Sequence, residues 1–552
     1  MTRISEAGRL PWWIAVPTAA LGGWLFDLAN PDIACWPLVF PAILLILASW
    51  WKQQVGVAVL AGVAAGAAFW MPHISWLTLY LGPIPWLALS AVMIAWFALQ
   101  GLVTAVATRG IAALPSMRRS PVVMVLAQSA AAAGIWVLRE GVQGSWPYGG
   151  FPWGRVAHVF ADTPFGALVS WVGFAGLSGF IVLCCAAITG GVLSMGAGWI
   201  SERQPSVPVS WHVLVPGAIA VALVGASALV APAQLAETGM LRVAAVQGNS
   251  KSGIFDDRES GDVFADHIAA TEQLLDDLEA ENEQVDVIVW PENAGEFGLT
   301  ANPLRGREVA LLAKRAGAQI VVGTVLQDDD GTYTNSSIVW GPDGQQRPTE
   351  TSRYDKRFPV PFAEYMPNRD FFHALVPDLV DLVQLEYRTG TTPPVMPVQI
   401  DSATIRAGVA ICFDIIFDDQ AVHMTEDDAE VIFAQSNNAD FGRTDESVQQ
   451  LQIARLRAIE TGRALVNIST VGTSAIIAPD GGDIVALPTH TQGSLVADVP
   501  LVTGETPALR FGAFISTIWM IIGGAGFAAG SVALLRIRRS TSRAEQLEAL
   551  VE

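Results

Sequence analysis

Three polar residues in the C-terminal half of the chain stand where predicted strands end. Glu292 follows "VIVWP", Cys412 follows "GVAI", and Lys356 lies in "SRYDKRFPVPFAEYMP". Acyl transfer through a thiol requires a base to take the S–H proton, a cation to stabilise the tetrahedral oxyanion, and the sulfur nucleophile. A lysine near the thiol also favours the thiolate. Together the three residues predict a cysteine-dependent acyl-transfer site.

Each of these residues has a simpler explanation when taken alone. A carboxylate at a strand end can be a solvated cap, and a lysine in a proline-rich loop can be a surface charge. A cysteine on a core strand can be an inert packed thiol. Cys412 is the only one of the four cysteines outside the apolar stretches, so it has no local disulfide partner. The chain shows no Walker loop, no GxGxxG and no His/Cys metal spacing, so we expect neither a cofactor nor a metal.

The elements around these residues alternate between strands and helices over about 270 residues, which indicates an α/β layered domain. Amphipathic periodicity predicts helices at 267–283, 305–317 and 448–462. Runs of β-formers predict strands at 240–249, 285–293, 318–327, 332–344 and 403–414, with two more within 464–482.

Apolar composition is concentrated outside this domain. Residues of the AVILMFWYC set make up 51% of the 552 residues, and charged residues only 15%. Most of the apolar stretches approach the ~20 residues that a helix needs to cross a bilayer. They lie at 11–29, 34–50, 55–71, 84–108, 121–138, 166–200, 211–233 and 512–535. We therefore expect a polytopic helical bundle of about eight spans, with seven in a membrane domain at 1–233, a soluble domain at 234–510, and a last span with a basic tail at 511–552.

Charge divides the chain in the same way. Residues 234–510 hold 43 Asp and Glu against 19 Lys and Arg, and this acidity argues against nucleic acid as a partner. Most bases of the remainder lie before the first span or after every second span, at Arg3, Arg9, Lys52, Arg109, Arg118, Arg119, Arg203, Arg536, Arg538, Arg539 and Arg543. The positive-inside rule then predicts that both termini are cytoplasmic and that the acidic domain is extracytoplasmic. The first apolar stretch is too long, and too closely followed by others, for a cleaved signal peptide.

A longer series of motifs resembles a known family. "WPE", "YDK" with "PFAE", and "CFD" resemble the Glu-Lys-Cys triad of the nitrilase (carbon–nitrogen hydrolase) superfamily. The fuller pattern resembles its membrane-embedded branch, the apolipoprotein N-acyltransferases, over nearly the whole chain. The segments that carry this resemblance are "VQGN" at 246–249, "WPEN" at 290–293, "YDKRFPVPFAEYMP" at 354–367, "ICFD" at 411–414, "SNNADFG" at 436–442, "QIARLRAIETGRALVNISTVGTSAIIAPDG" at 452–481, "TGETPALRFG" at 503–512 and the loop "GSWPYGGFPWG" at 144–154.

The resemblance implies a nitrilase-like αββα sandwich for the α/β domain and a role for each site residue. Glu292 becomes the general base, Lys356 the stabiliser of the oxyanion, and Cys412 the nucleophile on a sharp strand-to-helix turn. Glu364 matches a family carboxylate that holds the lysine and assists catalysis. The backbone N–H of Phe413 becomes the second oxyanion donor.

The chain departs from the family pattern in two places. The family commonly carries Tyr-Glu after the cysteine, where this chain has Phe413 and Asp414, so a hydroxyl is lost and the supporting acid is shorter. A tryptophan expected shortly after "VQGN" is absent, and Phe255 is the nearest aromatic residue. Phe255 is therefore the candidate for the lipid contact which that tryptophan would make.

The implied reaction has two steps. Cys412 takes an acyl chain from a membrane phospholipid as a thioester, and the N-terminal amine of a diacylglyceryl-modified apolipoprotein then takes it as an amide. Both substrates are anchored in the outer leaflet of a bacterial cytoplasmic membrane, so the site should open sideways at bilayer level. Trp146, Trp153 and Arg155, in and beside the 144–154 loop, are candidates for lipid contact, although an interfacial aromatic belt explains the tryptophans equally well.

Two other functions remain open. A membrane-anchored amidase of the same superfamily would use the same triad with water in the second step; the polytopic bundle favours the transferase. A transporter or scaffold with an inactive domain would lack part of the triad and would carry charges inside its spans. The triad is complete, and the only acids in a span are Asp27 and, near its end, Asp32, where a structural role is simpler than an ion path.

Overall fold

The computed structural model describes residues 9–200, 211–253, 256–341, 352–400 and 403–551. Arg3, Arg203 and the turn predicted at 342–344 lie outside these ranges. The helices are α1 (Trp12–Ala29), α2 (Val39–Trp50), α3 (Val55–His73), α4 (Leu77–Leu81), α5 (Pro83–Ala113), α6 (Pro115–Arg118), α7 (Pro121–Gln143), α8 (Val169–Ile200), α9 (Val215–Ser227), α10 (Asp262–Glu281), α11 (Pro303–Ala316), α12 (Arg369–His373), α13 (Pro377–Val380), α14 (Asp418–Glu426), α15 (Glu446–Thr461) and α16 (Pro507–Val551). The strands are β1 (Ala236–Gln247), β2 (Val287–Val289), β3 (Gln319–Gln327), β4 (Tyr333–Trp340), β5 (Arg353–Asp355), β6 (Val395–Ile400), β7 (Ala403–Ile411), β8 (Val431–Ser436), β9 (Leu465–Ser469), β10 (Ser474–Ile477), β11 (Asp483–Leu487) and β12 (Gly493–Thr503).

A helix occupies each of the eight predicted apolar stretches, but the helices differ in length. Among the described residues, five helices are long and apolar enough to cross a membrane, namely α3, α5, α7, α8 and α16. α1 has 18 residues, α2 has 12 and α9 has 13. At about 1.5 Å per residue, the two shortest cover about 20 Å of a ~30 Å hydrocarbon core. α2 begins late because a 3-10 turn at Trp36–Leu38 takes up the start of its stretch. The count of eight spans therefore stays a prediction.

The C-terminal helix α16 packs back against the helices of the N-terminal region. A Cβ added at Gly134 of α7 would collide with the backbone of Gly523 in α16, and one at Gly110 of α5 would collide with Gly530. Small residues at both crossings let the helix backbones touch, as is common among helices that pack in lipid. The two ends of the chain thus form one helical bundle.

The residues between α9 and α16 form two six-stranded sheets. Their strand orders are β12-β1-β2-β3-β4-β5 and β11-β10-β9-β8-β7-β6. β1, β2 and β3 are parallel, as are β7, β8 and β9. Strands buried on both faces read as continuous apolar runs, which explains "VIV" in β2 and "GVAI" in β7. α10 and α11 cover the outer face of the first sheet, and α14 and α15 cover that of the second. The predicted fold class, a helical bundle with an αββα domain, is confirmed.

The domain rests on the bundle through its second sheet. Apolar side chains such as Val243, Val289 and Phe433 fill the space between the two sheets. On the outer side of the second sheet, one continuous apolar cluster runs from Ile459 of α15 to Trp50 of α2. The helical layer behind the cysteine-bearing sheet is therefore also the layer that contacts the bundle.

The two ends of the domain lie side by side. β12 and β1 pair antiparallel at the edge of the first sheet, from Ala236 with Thr503 to Gln247 with Gly493. The chain enters and leaves the domain at one place, which allows a domain of this size to be inserted between α9 and α16.

Candidate active site

The structure brings Glu292, Lys356 and Glu364 into direct contact. Glu292 lies just beyond β2, and Lys356 directly follows β5 in the same sheet. Lys356 Nζ is 3.3 Å from Glu292 Oε1 and 2.9 Å from Glu364 Oε2. Lys356 is only 2% exposed, and Glu292 is also buried. One ammonium group therefore lies between two carboxylates.

Cys412 directly follows β7 in the second sheet and opens a 3-10 turn, Cys412–Ile416. Its φ of 50° lies in the left-handed region, which is uncommon for residues other than glycine, and such strain is concentrated at functional sites. The thiol is partly exposed, whereas Ile411 and Asp414 on either side are buried. The N–H of Phe413 lies in the first turn of this short helix, where backbone donors have no partner within the helix. The sharp strand-to-helix turn that the resemblance implies for the nucleophile is therefore present at Cys412.

Three donors hold the carboxylate of Glu292. Asn335 Nδ2 donates to Oε1 at 2.7 Å, the backbone N–H of Asn437 donates to Oε2 at 2.8 Å, and Lys356 Nζ contributes the third contact. Burial raises the pKa of Glu292, the charge of Lys356 opposes that rise, and Glu364 adds to it. The result is a fixed carboxylate whose pKa is raised, as suits a general base.

Glu364 and Asn335 orient the lysine. Lys356 Nζ contacts both oxygens of Glu364, and the backbone N–H of Val360 donates to Glu364 Oε2 at 2.7 Å. Asn335 Nδ2 also donates to Glu364 Oε1 at 2.9 Å, so this one amide joins the two carboxylates. Burial would lower the pKa of Lys356, but Glu292 and Glu364 outweigh it and raise that pKa well above its ordinary value. The lysine therefore stays charged.

The surroundings of Cys412 favour the neutral thiol. Burial and then Glu292 raise its pKa well above the ordinary value, and Lys356 opposes them in part. The lysine thus acts in the direction that the sequence predicts, toward the thiolate, but burial and Glu292 outweigh it. Gln450 Nε2 donates to Cys412 Sγ at 3.7 Å. Since burial favours the neutral thiol, we expect a base to remove its proton during attack by the sulfur.

Asp414 supports the turn from behind. Its side chain is buried and accepts hydrogen bonds from the Tyr354 hydroxyl at 2.7 Å, the Phe358 N–H at 2.9 Å and the Ile411 N–H at 3.1 Å. Burial raises the pKa of Asp414 to about 6, and Lys356 and these hydrogen bonds oppose the rise. Asp414 thus ties the turn to β5, the strand that carries the lysine.

The candidates for lipid contact are placed differently from one another. Trp146 is 62% exposed, but Trp153 is buried and donates from Nε1 to Gln449 Oε1 at 2.7 Å. Arg155 is buried and pairs with Asp418 of α14 at 2.8 Å. Trp153 and Arg155 are therefore both buried against protein partners, and of the described candidates Trp146 is the exposed one. Phe255 lies outside the described residues.

Residues of the bundle reach the rim of the site. Trp76, just before α4, donates from Nε1 to Gln449 Oε1 at 3.3 Å, and its ring lies 5.1 Å from that of Phe441. The Tyr80 ring of α4 lies 6.0 Å from the same Phe441. Gln449 is adjacent to Gln450, so the site lies at the junction between domain and bundle.

Asn335 and Gln450 are site residues that the sequence reading missed. Asn335 lies in β4 among buried polar neighbours, and a run of Thr-Asn-Ser-Ser inside a strand was the available signal. Gln450 belongs to "ESVQQLQIAR", a helix in which several polar residues are buried. In the described part of the chain, no group of three or more His, Cys, Asp or Glu side chains is arranged to hold a metal ion.

Comparison with known proteins identifies two matching family models. One is described as "Carbon-nitrogen hydrolase" and matches residues 242–507; the other, "Apolipoprotein N-acyltransferase N-terminal domain", matches residues 22–187. An apolipoprotein N-acyltransferase of Haemophilus influenzae is 28% identical over 89% of this chain and 90% of its own. That of Mycolicibacterium smegmatis is 32% identical over 59% of this chain, a match that spans 55% of the relative's length. Among solved structures, a nitrilase-superfamily member from Saccharomyces cerevisiae is 17% identical, with a TM-score of 0.34 over 50% of this chain and 95% of that one.

Two facing sheets covered by helices, with a glutamate, a lysine and a cysteine just beyond strand ends, define a carbon–nitrogen hydrolase domain. Here the domain is joined to a bundle of apolar helices, most of which the second family model covers. The chain thus combines the domains of both family models, is similar over most of its length to an apolipoprotein N-acyltransferase, and is a bacterial membrane protein. The resemblance seen in its sequence is confirmed.

Proposed function

We propose that this protein transfers an acyl chain from a membrane phospholipid to the N-terminal amine of a diacylglyceryl-modified apolipoprotein, through a thioester on Cys412. The observation that carries this function is the cluster of Lys356, Glu292 and Glu364, which acts electrostatically on a strained, partly exposed cysteine. Base, cation and nucleophile are the groups that two-step acyl transfer requires. Relatives of the chain are named apolipoprotein N-acyltransferases.

In the first step, Glu292 takes the S–H proton as Cys412 Sγ attacks the ester carbonyl of the phospholipid. Lys356 Nζ and the Phe413 N–H stabilise the negative charge that develops on the carbonyl oxygen. Glu292 then returns the proton to the glycerol oxygen, the C–O bond breaks, and a lysophospholipid leaves. An acyl thioester remains on Cys412.

In the second step, the amine nitrogen of the acceptor attacks the thioester carbonyl. The same two donors stabilise the oxyanion, because both steps pass through a tetrahedral intermediate at the same carbon. Glu292 carries a proton from the nitrogen to the sulfur as the C–S bond breaks. The amide leaves and the thiol of Cys412 is restored.

The location of the site suits substrates that are held in a membrane. Trp76 and Tyr80 of the bundle pack against Phe441, close to Gln449 and Gln450 of the site. We assign residues 234–510 to the extracytoplasmic side of the cytoplasmic membrane. Residues 1–233 form the membrane domain, and residues 511–552 form the last span and its basic tail. Both termini then lie in the cytoplasm. The distribution of basic residues supports this orientation.

The function is tested on the purified protein in phospholipid vesicles without acceptor. Mass spectrometry should find one acyl group on the peptide that contains Cys412, and about one lysophospholipid should be released per protein. A diacylated lipopeptide with a free N-terminal cysteine amine should discharge the thioester as an amide, and the N-acetylated lipopeptide should not.

The cysteine variants and the hydrolase alternative are resolved in the same assay. Cys412→Ala should form no acyl-enzyme, and Cys412→Ser should be inactive because a hydroxyl is a far weaker nucleophile at this site. Full N-acylation by Cys412→Ala would overturn the proposal. Continuous release of free fatty acid, as fast without acceptor as with it, would identify a membrane-anchored amidase instead.

A further inference from the structure

A second buried carboxylate lies close to the thiol and has no part in the steps above. Glu446, the first residue of α15, is only 4% exposed. Asn438 Nδ2 donates both to Glu446 Oε2 at 2.7 Å and to Gln450 Oε1 at 3.1 Å. Gln450 lies one helical turn after Glu446, so both face the same side of α15, and its Nε2 approaches Cys412 Sγ. One side chain thus separates the Glu446–Asn438 pair from the nucleophile.

Glu446 differs from the other buried glutamates near the site because no cation accompanies it. Glu292 and Glu364 share Lys356, and Glu460 of the same helix pairs with Arg457. Among the described residues, none forms an ion pair with Glu446 and none donates a hydrogen bond to its Oε1. A buried carboxylate without a counter-ion is costly, and such groups are normally paired or neutral. Glu446 Oε1 can therefore accept from a cationic donor or carry a proton.

A purely structural role for Glu446 is the simplest alternative. An acid at the start of a helix interacts favourably with the helix dipole, and Glu446 also holds Asn438 in place. The dipole favours the charged carboxylate, whereas burial raises the pKa of Glu446 to about 8, with the Asn438 hydrogen bond opposing and Glu292 adding to the rise. A carboxylate that only interacts with the helix dipole would not need to be buried. Removing the charge of Glu446 by substitution would therefore have different effects in the two roles.

The second step of the proposed function involves one proton more than Glu292 handles. The ordinary pKa of an α-amine is about 7.7–8.0, so the acceptor arrives mainly as an ammonium at neutral pH. An ammonium must lose one proton before its nitrogen has a lone pair, and a second as the amide forms. Glu292 carries the second proton to the sulfur. A base near the thioester would take the first proton from the ammonium where it binds, so that the reaction need not wait for the uncharged amine.

We propose that Glu446 is this base: it binds the acceptor ammonium through Oε1 and takes one proton from it before the nitrogen attacks the thioester on Cys412. An N–H bond breaks, an O–H bond forms on Glu446, and the freed electron pair remains on nitrogen. The proton passes to solvent after the amide has left. This role rests on the proposed function and specifies the acceptor subsite as one for a cationic amine. Glu446 accepts the proton in its ionised form, which the charge of the bound ammonium favours, and the burial that raises its pKa to about 8 makes it a stronger base than an exposed carboxylate.

The test measures the two half-reactions separately in Glu446→Gln, which keeps the shape and the acceptor for Asn438. Acylation is followed as the burst of lysophospholipid, and deacylation as discharge by the diacylated lipopeptide or by hydroxylamine, which is uncharged at neutral pH. We expect a burst rate within about threefold of the unsubstituted protein and unchanged discharge by hydroxylamine. Discharge by the lipopeptide should fall about 100-fold, the usual loss for a general base.

Two further variants complete the comparison. Asp445→Asn removes a carboxylate from the same helix end without touching Asn438, and should match the unsubstituted protein in all three rates. Glu446→Asp keeps a shorter carboxylate, and its lipopeptide discharge should lie between those of the unsubstituted protein and Glu446→Gln. If the Glu446→Gln protein does not accumulate, the Glu446→Asp protein is compared with the unsubstituted protein in its place.

Three outcomes would overturn the role of Glu446. Normal lipopeptide discharge by Glu446→Gln would do so directly. A parallel fall in the burst and in both discharges would make Glu446 a support for Asn438 and Gln450. Absence of a burst and of acylated Cys412 in the unsubstituted protein would overturn the proposed function, and the role of Glu446 with it.

Discussion

At the level of single residues, one ammonium is shared by two carboxylates, so the group of Lys356, Glu292 and Glu364 carries a net negative charge before the thiol ionises. The two carboxylates raise the pKa of Lys356 well above its ordinary value, and burial together with Glu292 raises that of the Cys412 thiol. Both shifts favour a mechanism in which Glu292 removes the thiol proton during attack. Lys356 is then free to bind the oxyanion in the transition state.

Lys356→Arg should lower the rate of the lysophospholipid burst about 100-fold or more, the usual loss for one oxyanion donor. A guanidinium keeps the charge, but it is planar and larger, and it does not fit the position where Nζ contacts both Glu292 and Glu364. Burst kinetics in phospholipid vesicles measure this directly. A rate close to that of the unsubstituted protein would remove Lys356 from the reaction.

Asn335→Ala should shift the pH dependence of acylation. Glu292 must be deprotonated to take the S–H proton, so the burst rate falls as pH decreases through its pKa. The hydrogen bond from Asn335 lowers that pKa against the effect of burial, so its loss should raise the pKa and move the acid limb about one unit to higher pH. Ser337→Ala, on the same face of β4, removes a hydroxyl that makes no hydrogen bond and should leave the limb in place. An unchanged limb in Asn335→Ala would contradict the assignment of Glu292 as base.

At the level of elements, the cysteine turn is fixed from α15. Arg457 Nε donates to the carbonyl of Ile415 at 3.0 Å, and its Nη2 donates to that of Ile416 at 2.9 Å. The same guanidinium pairs with Asp418 of α14, which also pairs with Arg155 beside the 144–154 loop. One buried arginine therefore connects the nucleophile turn, two helices and, through Asp418, the loop that belongs to the bundle.

Arg457→Lys should slow acylation of Cys412 by about 10-fold or more while the protein still accumulates in the membrane. A lysine keeps one charge beside Asp418 but does not donate to both turn carbonyls at once, so the turn loses its fixed geometry. The matched control is Arg455→Lys on the same helix, because Arg455 pairs with Asp483 and not with the turn. Equal burst rates in the two variants would mean that Arg457 does not position the nucleophile.

At the level of the whole molecule, the catalytic domain is inserted between two parts of one helical bundle. β1 and β12 return the chain to its point of entry, and α16 then packs against α7 and α5. The domain is thus held at both ends beside the bundle. This arrangement fixes the position of Cys412 relative to the helical bundle, which a single flexible anchor would not do.

Reporter fusions test the orientation. A reporter that is active only outside the cytoplasm should be active when fused after Gln327 and silent when fused after Glu552, because the clusters of basic residues are retained inside. Enzyme activity of the two fusions in intact bacterial cells is the measurement, and a reporter that is active only in the cytoplasm should show the reverse pattern. If the external reporter were active after Glu552, the C-terminus would lie outside the cytoplasm. The prediction of an even number of spans would then be wrong.

The amino-acid sequence was enough to indicate the class of protein and its candidate reacting groups, because both depend on local features. Each of these features lies within a short window of the sequence. They are the apolar runs of membrane length, the β-forming runs that end in "WPEN" or "CFD", and the identities of Glu292, Lys356 and Cys412. The αββα fold came from the resemblance that those motifs carry. None of these features requires knowledge of which distant segments meet.

How these groups are charged and supported follows from the tertiary structure. Asn335 joins Glu292 to Glu364 from a strand of its own, and the partners of Trp153 and Arg155 lie 296 and 263 residues further along the chain. Sequence periodicity reports which face of an element is apolar, but not which element covers it. For that reason Trp153 and Arg155 resembled membrane-surface residues, and the raised pKa of the Cys412 thiol became apparent only when its burial and its neighbour Glu292 were seen.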